Sequence, residues 1–230
     1  MRTTKSQILA SLKRNGGNSI EELATAIGVA KMTVRQHLAT LERDGLVESR
    51  QVRRATGRPH FVFSLTDQGE EMFPKRYDRL AALLLDEVSR LDGEEIVGLR
   101  PEEKKRLLFG RMAKRLQSQY EGRVRGKELP ERVAAVAKML DEEGGFAEWR
   151  SVSGGFEITD YNCVYRRVAE ADSDLCDWHL TLLNGLLGRD VRCSQFIAKG
   201  AQSCRFIVRE GATEAPSSEK KKAKTGKEGS

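Results

Sequence analysis

The sequence predicts an α+β fold: a small helical module with a two-stranded wing, then a helical connector, then a second α+β unit that carries the thiols. Three observations support this. Residues 5–44 hold three runs of apolar positions at helical spacing, separated by glycines. Two later regions alternate like paired strands. All four cysteines, Cys163, Cys176, Cys193 and Cys204, fall between Asn162 and Phe206.

The first helix is predicted around Ser6 to Asn15, with Ile8, Leu9 and Leu12 on one face and Gly16-Gly17 as its stop. The second opens on "SIEE", where Ser19 can cap the helix and Glu22 can reach back to it. Its apolar face is Ile20, Leu23, Ala24 and Ile27, and Gly28 ends it. The third runs from about Ala30 to Asp44, with Val34, Leu38 and Leu41 inward. The Ile27-Gly28-Val29 link is so short that the second and third helices must cross steeply, a helix-turn-helix arrangement. Lys31, Thr33, Arg35 and Gln36 then stand at the start of the third helix, where such helices enter a major groove. Arg suits a guanine edge and Gln an adenine edge, while Thr and Lys suit phosphates or bases.

Leu46–Arg54 and Pro59–Leu65 read as two strands joined through residues 55–58. That hairpin presents Arg53, Arg54, Arg58 and His60 as a basic wing. Thr66 is placed to cap a further helix, "TDQGEEMFPKRYDRL". The net charge of +6 follows the same division. Residues 1–66 hold 11 Lys/Arg against 5 Asp/Glu, residues 67–215 hold 24 against 27, and residues 216–230 hold 5 against 2. A basic front module suits a polyphosphate partner, because neutralising phosphates releases counterions.

Three more helices are predicted at Tyr77 to Leu91, Pro101 to Tyr120 and Pro130 to about Glu143. The first two carry Leu80, Leu83, Leu84 and Val88, and Leu107, Leu108, Met112 and Leu116, and are read as dimer-forming. "FAEWRSVSGGFEITDYNC" is a hairpin turning at Gly154-Gly155, with Cys163 just past its second strand. A helix from about Ser173 to Leu187 places Cys176, His179, Leu180, Leu183 and Leu187 on one face. A second hairpin turns about Lys199-Gly200-Ala201 and carries Cys193 and Cys204.

The cysteines are separated by 12, 16 and 10 residues, so the Cys-x2-Cys knuckle of most structural zinc sites is missing. Single thiolates from separate elements are compatible with an iron–sulfur cluster, a larger object than one ion. A zinc site or a reversible thiol switch is the alternative. A buried cysteine can also be plain core, and Cys193, alternating with Val191, fits that description best. His179, one turn after Cys176, is a spare ligand candidate.

The stretches "MTVRQHLATLERDGLV", "GRPHFVFSLTDQG" and "FPKRYDRL" resemble the winged helix-turn-helix of bacterial regulators near the DeoR and ArsR groups. Farther on, "NCVYRRVAEADSDLC", "LLGRDV" and "KGAQSCRF" resemble the SufR family, repressors of iron–sulfur cluster assembly operons. The resemblance spans about residues 5–208. It implies a homodimer that binds operator DNA when each subunit holds a cluster, 4Fe-4S rather than 2Fe-2S. It also implies ligand roles for Cys163, Cys176 and Cys204. The family's third cysteine falls near Asp190, where this chain has Cys193 instead, which leaves Cys193, His179 or an outside group as the fourth ligand.

The domain organisation expected is 1–73 for the DNA-binding module, 74–125 for the connector, 126–210 for the thiol unit and 211–230 for a disordered basic tail. The N-terminus breaks to charge after three apolar positions and no run nears the ~20 apolar residues of a bilayer span. A cytoplasmic, non-membrane protein with reduced thiols is therefore expected. No nucleotide loop or catalytic His/Asp set is present in the sequence, so neither an enzyme nor a small-molecule substrate is expected.

Overall fold

The chain is α+β, an N-terminal winged helix-turn-helix head followed by a mixed body, and a computed structural model describes residues 3–52 and 60–211. The predicted wing tip, with Arg53, Arg54 and Arg58, and the basic tail from residue 212 lie outside the described residues. No helix among the described residues is long and apolar enough to cross a membrane.

The head forms from local signals. Helix α1 (Thr4–Asn15) ends where Gly16 takes φ 72 and donates its N–H to the Leu12 carbonyl at 2.9 Å. Helix α2 (Ile20–Ile27) starts on a complete capping box. The Glu22 N–H donates to Ser19 Oγ at 3.3 Å, and the Ser19 N–H donates to Glu22 Oε2 at 2.7 Å. Gly28, at φ 76, ends α2, and α3 (Lys31–Arg43) begins three residues later. Strands β1 (Val47–Val52) and β2 (His60–Leu65) pair antiparallel, with Val47 opposite Leu65. Asn18 and Phe63 exchange backbone hydrogen bonds of 3.0 and 2.9 Å, fastening the α1–α2 loop to the wing. Ile8, Leu12, Leu23, Val34, Leu38, Leu41, Leu46 and Phe63 fill one core. Burying each is worth about 1.5–3 kcal/mol.

Thr66 caps a helix as predicted, but the helix is short. Helix α4 (Asp67–Glu71) stops before Pro74, and α5 (Tyr77–Ser89) begins afresh. Proline removes the N–H that a continuous helix would need and clashes with the preceding turn, so the single expected helix becomes two.

The body is built from α5, a short α6 (Gly93–Ile96), the long α7 (Pro101–Val124) and α8 (Leu129–Glu142). Strands β3 (Ala147–Val152) and β4 (Gly155–Asp160) follow, then α9 (Arg166–Ala171) and α10 (Asp174–Leu187). Strand β5 (Val191–Gln195), a 3-10 turn at Ile197–Lys199 and β6 (Cys204–Arg209) complete it. The sheet order is β3-β4-β6-β5, all antiparallel, so β4 and β6 are central. Strands β4 and β6 approach so closely that a Cβ on Gly155 would lie 2.0 Å from the Val208 carbonyl. The helices cover one face, and one core joins Leu83, Met112, Leu116, Val136, Leu183 and Phe206. Thus α5 and α7, expected as dimer helices, give Leu80, Leu83, Met112 and Leu116 to the body's own core. Their neighbours Leu85 and Val88 remain exposed.

Candidate nucleic-acid interface and thiol site

Helix α3 stands at the surface of the head with its inner stripe committed to the core. Lys31, Met32, Arg35, Gln36 and Ala39 are exposed, whereas Thr33 is half-buried. Lys31 Nζ donates to Glu21 Oε1 at 3.1 Å. That hydrogen bond, with the nearby Arg35 guanidinium adding, holds the Glu21 carboxyl below its usual range. Of the four predicted reading residues on α3, Arg35 and Gln36 are therefore presented freely outward. Lys31 shares its charge with an acid, and Thr33 is partly withdrawn. Met32, which the sequence also places on the outward face, is exposed on α3, and so is Ala39, which the sequence reading did not single out. His60 is half-buried on β2, opposite Val52.

The thiols converge at one end of the body's sheet. Strand β4 finishes there at Asp160, β6 starts there at Cys204, directly opposite Asp160, and β5 finishes there with Gln195 opposite Arg205. Cys163 lies three residues beyond β4, and Cys176 lies in the first turn of α10. All four cysteines are half-buried, free of disulfides and packed against the same core.

Each thiol feels its neighbours. Burial pushes the Cys163 thiol up to about 12, with Asp160 and Cys176 adding to it and the Tyr165 N–H opposing. Burial also raises Cys176, and Cys193 adds to the rise. An interaction between the Cys193 and Cys204 thiols pulls Cys193 below its ordinary value and, with burial, pushes Cys204 above it. The Ile197 N–H donates to Cys204 Sγ at 3.4 Å, and Cys193 Sγ donates to the Gln195 carbonyl at 2.8 Å.

A cavity of about 70 Å³ is lined by Asp160, Cys163, Trp178, His179 and Cys204, among others. Burial raises the Asp160 carboxyl to about 8 and lowers the His179 imidazole to about 4, so burial favours the neutral form of each. His179 packs edge-on against Phe206, with ring centroids 5.5 Å apart.

An iron–sulfur cluster would take cysteines as ligands and accept backbone N–H bonds at its sulfurs, and the four thiols of this chain come from a loop, a helix and two strands. A tetrahedral zinc ion would draw its sulfurs to about 3.8 Å of one another, given Zn–S bonds of about 2.3 Å. Among the described residues, no three His, Cys, Asp or Glu side chains are gathered so as to hold a metal ion.

The thiol end of the sheet is also the end that meets the head. Gln202 Nε2 donates to the Lys13 carbonyl at 2.6 Å. Asn162 Nδ2 donates to the carbonyls of Pro74 at 2.9 Å and Gly144 at 2.8 Å, and Lys75 Nζ donates to Asn162 Oδ1 at 3.2 Å. The Arg76 N–H donates to the Val164 carbonyl at 3.0 Å. Ion pairs surround this seam: Arg14 with Glu148 at 3.0 Å, Arg166 with Asp67 at 3.3 Å, and Arg167 with Glu71 at 3.0 Å. Sequence reasoning missed Asn162 and Gln202. An asparagine before a cysteine carries no periodic signal, and the partners of both residues are far away in sequence.

Residues 1–48 match the winged helix-turn-helix DNA-binding family. No curated protein matches the chain at a significant level. Similar solved structures include a MarR family transcriptional regulator from Silicibacter pomeroyi DSS, at 18% identity and TM-score 0.27, covering 51% of this chain and 70% of that one. Another is Bacillus subtilis PadR in complex with operator DNA, at 18% identity and TM-score 0.28, covering 62% of this chain and 92% of that one. Superpositions this loose carry no argument about function. The family match and the geometry of α2, α3, β1 and β2 agree, and the N-terminal part of the chain is a winged helix-turn-helix DNA-binding domain.

Proposed function

We propose that this protein is a transcriptional regulator whose grip on operator DNA depends on an iron–sulfur cluster held by Cys163, Cys176, Cys193 and Cys204. The observation that carries the reading is the convergence of every thiol in the chain at the sheet end that abuts the DNA-binding head. When bound, a cluster would supply an iron- and redox-sensitive crosslink among four backbone segments. His179, which lines the same cavity as Cys163 and Cys204, is the reserve ligand. The family resemblance of the cysteine region makes repression of iron–sulfur assembly genes the regulatory role.

On this reading Arg35 and Gln36 address base edges while Lys31 and the wing residues address phosphates. The protein works in the cytoplasm, where its thiols stay reduced. It acts as a homodimer, because two heads on half-sites about 34 Å apart double the contact. The exposed Leu85 and Val88 of α5, with Val97 just past α6, are the apolar surface such a dimer would cover. Light scattering of the purified chain tests the dimer.

A second reading keeps the DNA binding and makes the thiols a reversible switch. The placement of Cys193 and Cys204 on the neighbouring antiparallel strands β5 and β6, with their thiols interacting, favours it. The two readings separate on one experiment. Protein purified without oxygen is assayed for iron, sulfide and visible absorption, then for duplex binding before and after iron removal. Coloured protein whose binding falls with iron loss supports the cluster. Colourless protein whose binding responds to mild peroxide alone supports the switch.

A further inference from the structure

The segments that carry Cys163 and Cys204 are the same segments that hold the head. Asn162 immediately precedes Cys163, is only 1% exposed, and uses its whole side chain on the seam. Its two amide hydrogens go to Pro74 and Gly144, and its oxygen takes the Lys75 ammonium. Its backbone N–H reaches the Gly145 carbonyl at 2.8 Å and Asp160 Oδ1 at 3.1 Å. Pro74 and Lys75 form the joint between α4 of the head and α5 of the body. In the loop before β6, Gln202 lies two residues before Cys204 and holds the last turn of α1 through the Lys13 carbonyl. Lys13 is itself buried and paired with Glu70 of α4.

We propose that Asn162 and Gln202 are the positioning residues that couple the thiol site to the DNA-binding head. The inference rests on the proposed regulatory reading and names its mechanical route. A shift of the backbone at Cys163 moves Asn162, whose amide hydrogens and oxygen are bonded to Pro74, Gly144 and Lys75, so the joint at Pro74 and Lys75 must move with it. A shift at Cys204 moves Gln202 and pulls on α1. Two anchors at separate points on the head set its orientation, and so the spacing of paired heads along DNA. Among the described residues, neither hydrogen-bonds to Lys31, Thr33, Arg35 or Gln36 or donates to a thiol.

The test uses the full-length chain, purified without oxygen, and a duplex selected from a random-sequence library by the wild-type protein. Iron and sulfide content and far-ultraviolet circular dichroism are recorded for wild type, Asn162→Ala and Gln202→Ala. Duplex affinity is measured in cluster-loaded and iron-free forms. Allosteric couplings usually change affinity by roughly 5–150-fold. The expected result is that the loaded-to-free affinity ratio falls toward 1 in Asn162→Ala and is at least halved in Gln202→Ala, with iron and sulfide unchanged. A full wild-type ratio in both variants, with the cluster loaded, overturns the proposal. Should Asn162→Ala fail to fold, the exposed Gln202→Ala decides alone. If the wild type holds no cluster, the regulatory reading fails, and the coupling is then measured between reduced and peroxide-oxidised thiol forms. A wild-type ratio of 1 there overturns the coupling as well.

Discussion

The amide of Asn162 donates to the carbonyl of Pro74 at 2.9 Å, which ties the residue before Cys163 to the joint on which the DNA-binding head turns. Truncating Asn162 leaves Pro74, Gly144 and Lys75 short of a partner each. One unsatisfied buried group costs about 1–3 kcal/mol, so Asn162→Ala should lower unfolding free energy by at least about 2 kcal/mol. Gln202→Ala, which removes one bond from an exposed residue, should cost about 1 kcal/mol or less. Denaturant titration of the three proteins checks the order.

On the head, Arg35→Ala and Gln36→Ala should each weaken binding to the selected duplex by about 1–3 kcal/mol and relax sequence preference at one position. Lys31→Ala should instead lower the salt slope by about one and act evenly across sequences. Its effect should be smaller than that of Arg35→Ala, because Lys31 already serves Glu21. Competition binding over a range of salt separates the two classes.

Gly69 owes its identity to a close approach. A Cβ there would sit 2.0 Å from the Leu46 carbonyl, an acceptor for the Thr66 N–H at 3.1 Å. Gly69→Ala should therefore loosen α4 from the wing and lower the melting temperature, although alanine is the better helix former. A variant as stable as wild type would contradict the close packing.

In the body, Glu87 is 1% exposed and accepts hydrogen bonds from Arg111 at 3.1 Å and from Arg115. Burial works against its charge, yet the two guanidiniums hold its carboxyl below the usual carboxylate range. A carboxylate with a depressed native pKa binds fewer protons folded than unfolded in the window beneath its ordinary value. Its contribution is thus full above the ordinary carboxyl value of 4.5 and is lost as pH falls through the folded value. Glu87→Gln should cost about 1.5–3 kcal/mol at pH 7, the range for hydrogen bonds to a charged group, and should flatten the acid limb of the stability profile. Thermal melts between pH 3 and 7 check both effects.

Much of the head was legible because its signals are local. Ser19 and Glu22 announce their own capping box, and Gly16 and Gly28 stop helices by taking positive φ. The break at Pro74 was legible too, yet the run of helix formers around it reads as continuous unless the proline is weighed first. In the body, the hairpin at Gly154-Gly155 appears as expected, and β5 pairs with β6. The 3-10 turn at Ile197–Lys199 and the short α9 went unread, since three to six residues carry no period. The thiol site was half legible. Cysteine clustering in sequence suggests a shared centre, but only the register of Asp160 opposite Cys204 brings Cys163 to it. The seam with the head was illegible, because Lys13 and Gln202 meet across 189 positions.

The central claim is tested most directly by iron and acid-labile sulfide analysis of protein purified without oxygen, read together with duplex affinity. The account predicts coloured protein with iron and sulfide in equal amounts, approaching four of each per chain as in a [4Fe–4S] centre. It also predicts loss of both, and of tight duplex binding, in Cys163→Ala and Cys204→Ala. Colourless wild-type protein that binds the duplex equally well with and without iron, and whose binding those two variants leave unchanged, would contradict it.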